Sequence, residues 1–271
     1  MIETLQRESE LEAVRNSLLD PVIFVPTMGA LHAGHAALIR EARAISKSVI
    51  VSVFVNPLQF EDANDLAKYP KTLEADRTIA RDAGAAFLWA PNYQDIYPGE
   101  IEKVPAGPIG SILEGASRPG HFDGVLTVVK RLFECVRPRQ AIFGEKDFQQ
   151  LFLIRRLATT MGIEVIMHPT VRDEHGLALS SRNARLSDVG RSQARIINRA
   201  LEAAATSMTP RESMHRLLEI ESAFTLDYAE VIDEESFEIL DDSNHDPSIK
   251  RRALIAGWIE GVRLIDTKGL S

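Results

Sequence analysis

Apolar positions along the chain fall into short runs separated by stretches of helical period. Residues 22–26 (VIFVP) and 48–55 (SVIVSVFV) are apolar and β-branched almost throughout, the pattern of strands covered on both faces. Residues 85–90 (AAFLWA), 140–143 and 164–168 (EVIMH) are further strand candidates. Between them, residues 33–45, 72–83, 125–136 and 148–161 read as helices, the last ending at Gly162, where a left-handed cap is expected. Strands alternating with helices predict a parallel sheet with helices on both faces. The pattern changes near Ser180. Residues 187–207 form a long alanine-rich amphipathic helix and 211–220 a shorter one. Residues 225–232, 237–240, 253–259 and 262–265 then look like antiparallel strands joined by Asp/Ser/Asn/Pro loops. Two helices followed by strands make an α+β unit. The predicted boundary lies around residues 175–185, giving domains over 1–178 and 179–271. No internal repeat or low-complexity segment interrupts this order.

Composition adds exclusions. The 271 residues are 45% apolar and 26% charged, an ordinary globular balance. A net charge of -8 argues against a general nucleic-acid binder. That charge is local: between Glu219 and Asp246 stand 11 acidic residues and no Lys or Arg, which reads as a solvated acidic face. The remainder, with 28 acidic against 31 basic side chains, leaves room for a phosphate ligand. The one cysteine, Cys135, excludes an internal disulfide framework and a cysteine-rich metal site, and its apolar setting (RLFECV) suits the core. No apolar run approaches the ~20 residues needed to span a bilayer. The first residues carry no apolar signal core, so a cytoplasmic protein with no membrane partner is expected.

Five segments could carry chemistry. Residues 26–35 (PTMGALHAGH) join a strand to a helix, where free helix N–H groups favour an anion. His32 and His35 are spaced to share a helix face and could donate to phosphate oxygens. Metal ligation by the same pair stays open, although zinc would need a third ligand that no recognisable offset supplies. Residues 56–60 (NPLQF) offer Gln59, a neutral amide suited to a hydroxyl or carboxylate. In residues 118–129 (RPGHFDGVLTVV), Val125, Val128 and Val129 form one face, either core or the wall of a small pocket. Residues 143–150 (FGEKDFQQ) again run from strand to helix; Lys146 suits phosphate, Asp147 could cap the helix, and Gln150 follows a turn later. Residues 178–185 (ALSSRNAR) offer serine and arginine donors on a junction loop that could serve as a lid or simply precede a helix capped by Ser187. No GxxxxGK[ST], GxGxxG or GxSxG motif occurs, so a nucleotide site would need another geometry.

In this order and spacing, PTMGALHAGH, SVFVNPLQF, RPGHFDGVLTVV, FGEKDFQQ and LSSRN closely resemble the pantoate–β-alanine ligase family, as do DYAEVID and RLIDT nearer the C-terminus. The HAGH segment alone is similar to the wider HxGH nucleotidyltransferases. The resemblance implies a Rossmann-like N-terminal domain with a smaller α+β C-terminal lid domain. It implies a cytoplasmic homodimer, and small-molecule substrates: pantoate, β-alanine and ATP with Mg²⁺. Pantoate would attack the α-phosphate of ATP to give pantoyl adenylate and pyrophosphate; β-alanine would then release AMP and form pantothenate. By resemblance His35, assisted by His32, and Lys146 are the catalytic residues. Met28, Gly29, Ala30, Leu31, His32, Ala33, Gly34 and His35 would line the ATP site. Gly144, Glu145, Lys146 and Asp147 would hold the nucleotide, Val171 would touch its adenine side, and Leu179, Ser180, Ser181 and Arg182 would close over the phosphates. Gln59 would contact pantoate and β-alanine, and Gln150 the pantoate. Val125, Val128 and Val129 could pack its gem-dimethyl group. No protein cage for Mg²⁺ is evident; the ion is expected on the ATP phosphates, with Asp76 as an outer partner. Two other readings are a nucleotidyltransferase acting on a different small acid or phosphate, and a non-catalytic nucleotide-binding module. The neutral Gln59 and Gln150 argue against a second phosphate, and a full set of donors argues against a module without chemistry.

Overall fold

The computed structural model describes residues 2–60, 66–67, 69–244 and 246–270. They form two compact units, one comprising Met1–Gly144 and Gln149–His168, the other Glu145–Phe148 and Pro169–Ser271.

The first unit is built on a six-stranded sheet in the order β1-β4-β3-β2-β5-β6. Its strands are β1 (Glu3–Leu5), β2 (Ile23–Thr27), β3 (Val49–Val53), β4 (Phe87–Trp89), β5 (Gln140–Gly144) and β6 (Glu164–His168), and every pairing is parallel. Its longer helices among the described residues are α1 (Glu8–Ser17), α2 (Ala33–Ile45), α3 (Leu73–Ala83), α4 (His121–Val136) and α5 (Phe148–Thr160), whose first residue groups with the second unit. β2 and β3 are apolar because both faces are covered: Ile23, Val25, Val49 and Val51 pack with Ile39, Ala42 and Ala80 of α2 and α3. On the opposite face Phe24 meets Phe133 edge-on at 6.4 Å, and Phe133 meets Phe143 at 6.4 Å. β2 and β5 are neighbours from which the chain winds in opposite directions. Open α/β sheets bind ligands beyond the carboxyl ends of strands at such a switch point.

The second unit carries a four-stranded antiparallel sheet in the order β10-β9-β7-β8. Its strands are β7 (Thr225–Asp233), β8 (Ile239–Leu240), β9 (Arg251–Ile259) and β10 (Val262–Leu270); its helices are α6 (Asp188–Ala205) and α7 (Pro210–Leu218). Ala194, Ile197 and Leu201 of α6 and Met214 of α7 pack on Ala229, Val231, Ile255 and Leu264. Serine at 187 caps α6, its Oγ accepting from Gly190 N at 3.0 Å.

The architecture is the α/β sheet plus smaller α+β unit that the pattern predicts. Three local readings change. β1 and α1 were not foreseen: one is three residues long, and the other buries only Leu11. Phe237 belongs to a turn, buried and with φ +64°, so the strand expected from 237 begins at Ile239. β10 runs on to Leu270, paired with β9 throughout; Asp266, a charged residue buried against Arg172 inside the strand, hid the continuation. The acidic stretch is also less solvated than expected: Asp227, Glu230 and Glu234 are paired with Arg263, Arg211 and Arg252.

Among the described residues no helix is long and apolar enough to cross a membrane. Cys135 is buried beside Glu8, and burial pushes its thiol up to about 12, so it stays protonated and inert.

Candidate functional site

The candidate residues divide between the two units. Met28 to His35, Gln59, Gly144 and Gln150 belong to the first; Glu145, Lys146, Asp147, Val171, Leu179, Ser180, Ser181 and Arg182 belong to the second.

In the first unit, β2 ends at Thr27, whose Oγ1 donates to Ser52 O at 2.7 Å and accepts from Gly29 N at 3.1 Å. The chain then turns through two left-handed residues, Gly29 (φ +83°) and Ala30 (φ +51°). A Cβ on Gly29 would lie 2.9 Å from Val53 Cγ1 and 3.0 Å from Asp76 Oδ2, so the motif requires glycine there. Asp76, 1% exposed, holds this turn: Leu31 N donates to Oδ1 at 2.7 Å, Ala30 N to Oδ2 at 3.2 Å, and Thr72 Oγ1 lies 3.2 Å from both oxygens. A carboxylate committed in this way serves the backbone of the turn.

His32 is not on the helix face shared with His35; it is the N-cap of α2, with extended backbone. Its Nδ1 accepts from Gly34 N at 3.1 Å, and His35 Nδ1 accepts from His32 N at 3.3 Å. Two imidazoles thus perform the reciprocal cap that Ser and Glu usually share. The rings are 4.2 Å apart. With Nδ1 accepting from a backbone N–H in each ring, the neutral tautomer carries its proton on Nε2. The helix start therefore offers two Nε2–H donors at a positive dipole end.

The NPLQ turn after β3 adds an amide. Asn56, 1% exposed, caps it by accepting from Leu58 N at 3.3 Å and also accepts from Tyr97 Oη at 3.0 Å. Its Nδ2 donates to Gln59 Oε1 at 3.2 Å and to Gly124 O at 3.0 Å. The oriented Gln59 then donates through Nε2 to Met28 Sδ at 2.9 Å. His121 Nδ1 is 2.9 Å from the Gln59 carbonyl, and Arg118 donates to both that carbonyl and His121 Nε2. Arginine only donates, so the His121 proton lies on Nδ1 and is given to Gln59 O.

Asn56, Tyr97, Arg118, His121 and Gly124 were not singled out by sequence. Asn before Pro at a turn start was a legible capping signal for Asn56; the others depend on residues far along the chain. Val125, Val128 and Val129 are buried with most of α4. Gln150 is half-buried on the first turn of α5. Its neighbour Gln149 is the more enclosed amide, donating to Ile109 O at 2.7 Å and Ile112 O at 2.8 Å and accepting from Glu114 N at 3.1 Å. Gly144 ends β5.

In the second unit, Glu145–Asp147 is a single 3-10 turn. Lys146 Nζ lies 3.3 Å from Asp147 Oδ2. Glu145 accepts from Thr170 N at 3.0 Å and from Arg252 Nη1 at 3.1 Å. Val171 and Leu179 face one another across a tight hairpin, Leu179 N donating to Val171 O at 2.9 Å, with Gly176 left-handed at its tip. Arg172, in that hairpin, grips Asp266; burial raises the Asp266 pKa and Arg172 opposes the rise. Ser180 caps the 3-10 turn Ser181–Arg185, accepting from Arg182 N at 3.2 Å. Asn183 Nδ2 ties the turn to Ala178 O at 2.9 Å.

Among the described residues no group of three His, Cys, Asp or Glu side chains could hold a metal ion.

Residues 1–268 match the family model described as pantoate-beta-alanine ligase. The chain is 46% identical over 266 residues to the pantothenate synthetase of Acidothermus cellulolyticus, covering 95% of this chain and 88% of that protein. It superposes on the pantothenate synthetase of Thermus thermophilus with a TM-score of 0.90, at 40% identity and over 98% of this chain and 99% of that one. It also resembles the pantoate-beta-alanine ligase of Francisella tularensis complexed with beta-gamma ATP and beta-alanine, with a TM-score of 0.81, 35% identity and coverage of 99% and 98%.

Proposed function

Since the chain belongs to the pantoate–β-alanine ligase family, and is thus an ATP-using ligase that makes pantothenate, we propose that it works through pantoyl adenylate. The observation that carries this reading is the convergence of Met28, Gln59 and the capped His32–His35 pair within one unit. It supplies neutral and hydrogen-donating groups and no activated nucleophile, which suits direct attack by a substrate carboxylate.

A pantoate carboxylate oxygen bonds to the α-phosphorus of ATP as the bond to the bridging oxygen of pyrophosphate breaks. The β-alanine amine then bonds to the activated acyl carbon, sheds a proton and displaces AMP. Gln59 orients pantoate and β-alanine through its amide, with Gln150 on the pantoate. His35 and His32 donate from Nε2 to phosphate oxygens as charge moves toward the leaving group, and Lys146 meets the same phosphates as a point charge. Met28 to Gly34 lie along the nucleotide, with Gly144, Glu145, Asp147 and Val171 around it and Leu179, Ser180, Ser181 and Arg182 over its phosphates. Magnesium would enter as part of the ATP substrate, held by the phosphates.

Pyrophosphate exchange into ATP tests the intermediate. Exchange is expected to require pantoate and to proceed without β-alanine; exchange indifferent to pantoate would exclude this order of steps. The family resemblance also supports a cytoplasmic homodimer. Light scattering at working concentration is expected to give twice the chain mass, and a monomer mass would remove the dimer from the reading.

A further inference from the structure

Lys146 sits in a four-residue segment that follows β5 directly in the chain but packs with the second unit. Arg252 of β9 holds that segment from both ends. Its side chain is 4% exposed. On one side of Lys146, Arg252 Nη1 donates to Glu145 Oε2 at 3.1 Å. On the other, the guanidinium carbon lies 4.3 Å from the centre of the Phe148 ring, which stacks in turn on Phe237 at 6.3 Å. Arg252 itself is anchored: Nε donates to Glu234 Oε1 at 2.7 Å, and Nη1 lies 3.5 Å from Thr267 Oγ1. Glu145 has its other oxygen on Thr170 N at 3.0 Å, so both carboxylate oxygens are occupied.

An arginine buried between two carboxylates is a poor device for stability, because apolar residues of similar volume often do as well or better. It is a good device for direction. The guanidinium is planar, always charged and donates along fixed lines while its face stacks on a ring. Here both properties act on the residues flanking one lysine.

We propose that Arg252 is a positioning residue for Lys146, fixing the Glu145–Phe148 segment so that the lysine meets the ATP phosphates, and acting on the reaction only through that lysine. The proposal rests on the assignment of Lys146 to the phosphates made above. It also gives the C-terminal sheet a specific part in adenylation.

A double-mutant cycle in the full-length enzyme tests it, using Arg252→Lys, Lys146→Ala and the double variant in pantoate-dependent pyrophosphate exchange. Arg252→Lys keeps the charge and loses the fork and the stacking plane. It is expected to lower kcat by about tenfold or more, the scale of a catalytic group displaced by under about 1 Å, with the KM for pantoate changed less than about twofold. In the Lys146→Ala background the same replacement is expected to change the rate by less than about twofold, since residues acting as a unit are not additive. Equal slowing with and without Lys146, or a folded Arg252→Lys enzyme at the wild-type rate, would overturn the positioning role. Wild-type exchange by Lys146→Ala would instead overturn the assignment of the lysine itself, and with it the role given to Arg252. If Arg252→Lys melts below the assay temperature, Glu145→Gln takes its place in the cycle, with the same two outcomes deciding.

Discussion

His35→Ala is expected to slow pantoate-dependent pyrophosphate exchange by about 10²–10³-fold, the usual loss when one preorganised donor to developing charge is removed. The structure says why this ring is preorganised. Its Nδ1 is engaged by the backbone N–H of His32, so the ring is held and the proton is kept on Nε2. The same bond caps α2, and removing it costs about 0.5–2 kcal/mol of helix stability. The two effects separate by measurement: a modest fall in denaturation midpoint reports the cap, whereas a large fall in kcat in folded enzyme reports the donor. Near-normal exchange by the folded variant would mean that His35 acts only as a cap.

Gly124→Ala is expected to be the most damaging conservative change near the small-substrate residues. A Cβ at 124 would lie 2.2 Å from the carbonyl oxygen of Leu58, 2.5 Å from its carbon and 2.8 Å from Gln59 N. All three are backbone atoms of the turn that carries Gln59, so no rotamer change relieves the clash. Either α4 or the turn must move, and the bond from Asn56 Nδ2 to Gly124 O is strained with it. Overpacking of this kind costs about 1–3 kcal/mol. Because Gln59 is positioned by Asn56, a shift approaching about 1 Å is expected to cost up to about 10²-fold in kcat/KM for pantoate, with the KM for ATP much less affected. Denaturation midpoints and the two KM values check this. Unchanged pantoate kinetics in a folded Gly124→Ala enzyme would show that the Gln59 turn does not depend on this close approach.

Much of the fold was legible because its signals are local. An apolar β-branched run such as residues 48–55 has to be a covered strand wherever it ends up. The glycine after residue 161 does take a left-handed conformation, at φ +68°. Other features turned on buried polar residues whose partners lie far along the chain. Asp266 looked like the end of a strand because its partner, Arg172, is 94 residues away. Asp76 holds a turn 46 residues earlier, a partnership that no local pattern announces. Gln149, next to Gln150, is bonded to the backbone of residues 109–114, again a partner that only the fold supplies.

By itself, the sequence determined the succession of strands and helices from β2 onward, the change from a parallel to an antiparallel arrangement, and the set of side chains available for chemistry. Periodicity and turn residues act over a few positions, and that range is enough for these. Only the tertiary structure decided which nitrogen of His35 accepts from the backbone, which amide orients Gln59, and that the segment bearing Lys146 is held by an arginine 107 residues from Glu145. Those choices depend on which charged and polar groups are buried together. Burial makes an unpaired charge costly, and the partner that satisfies it is set by how strands far apart in the chain come into register.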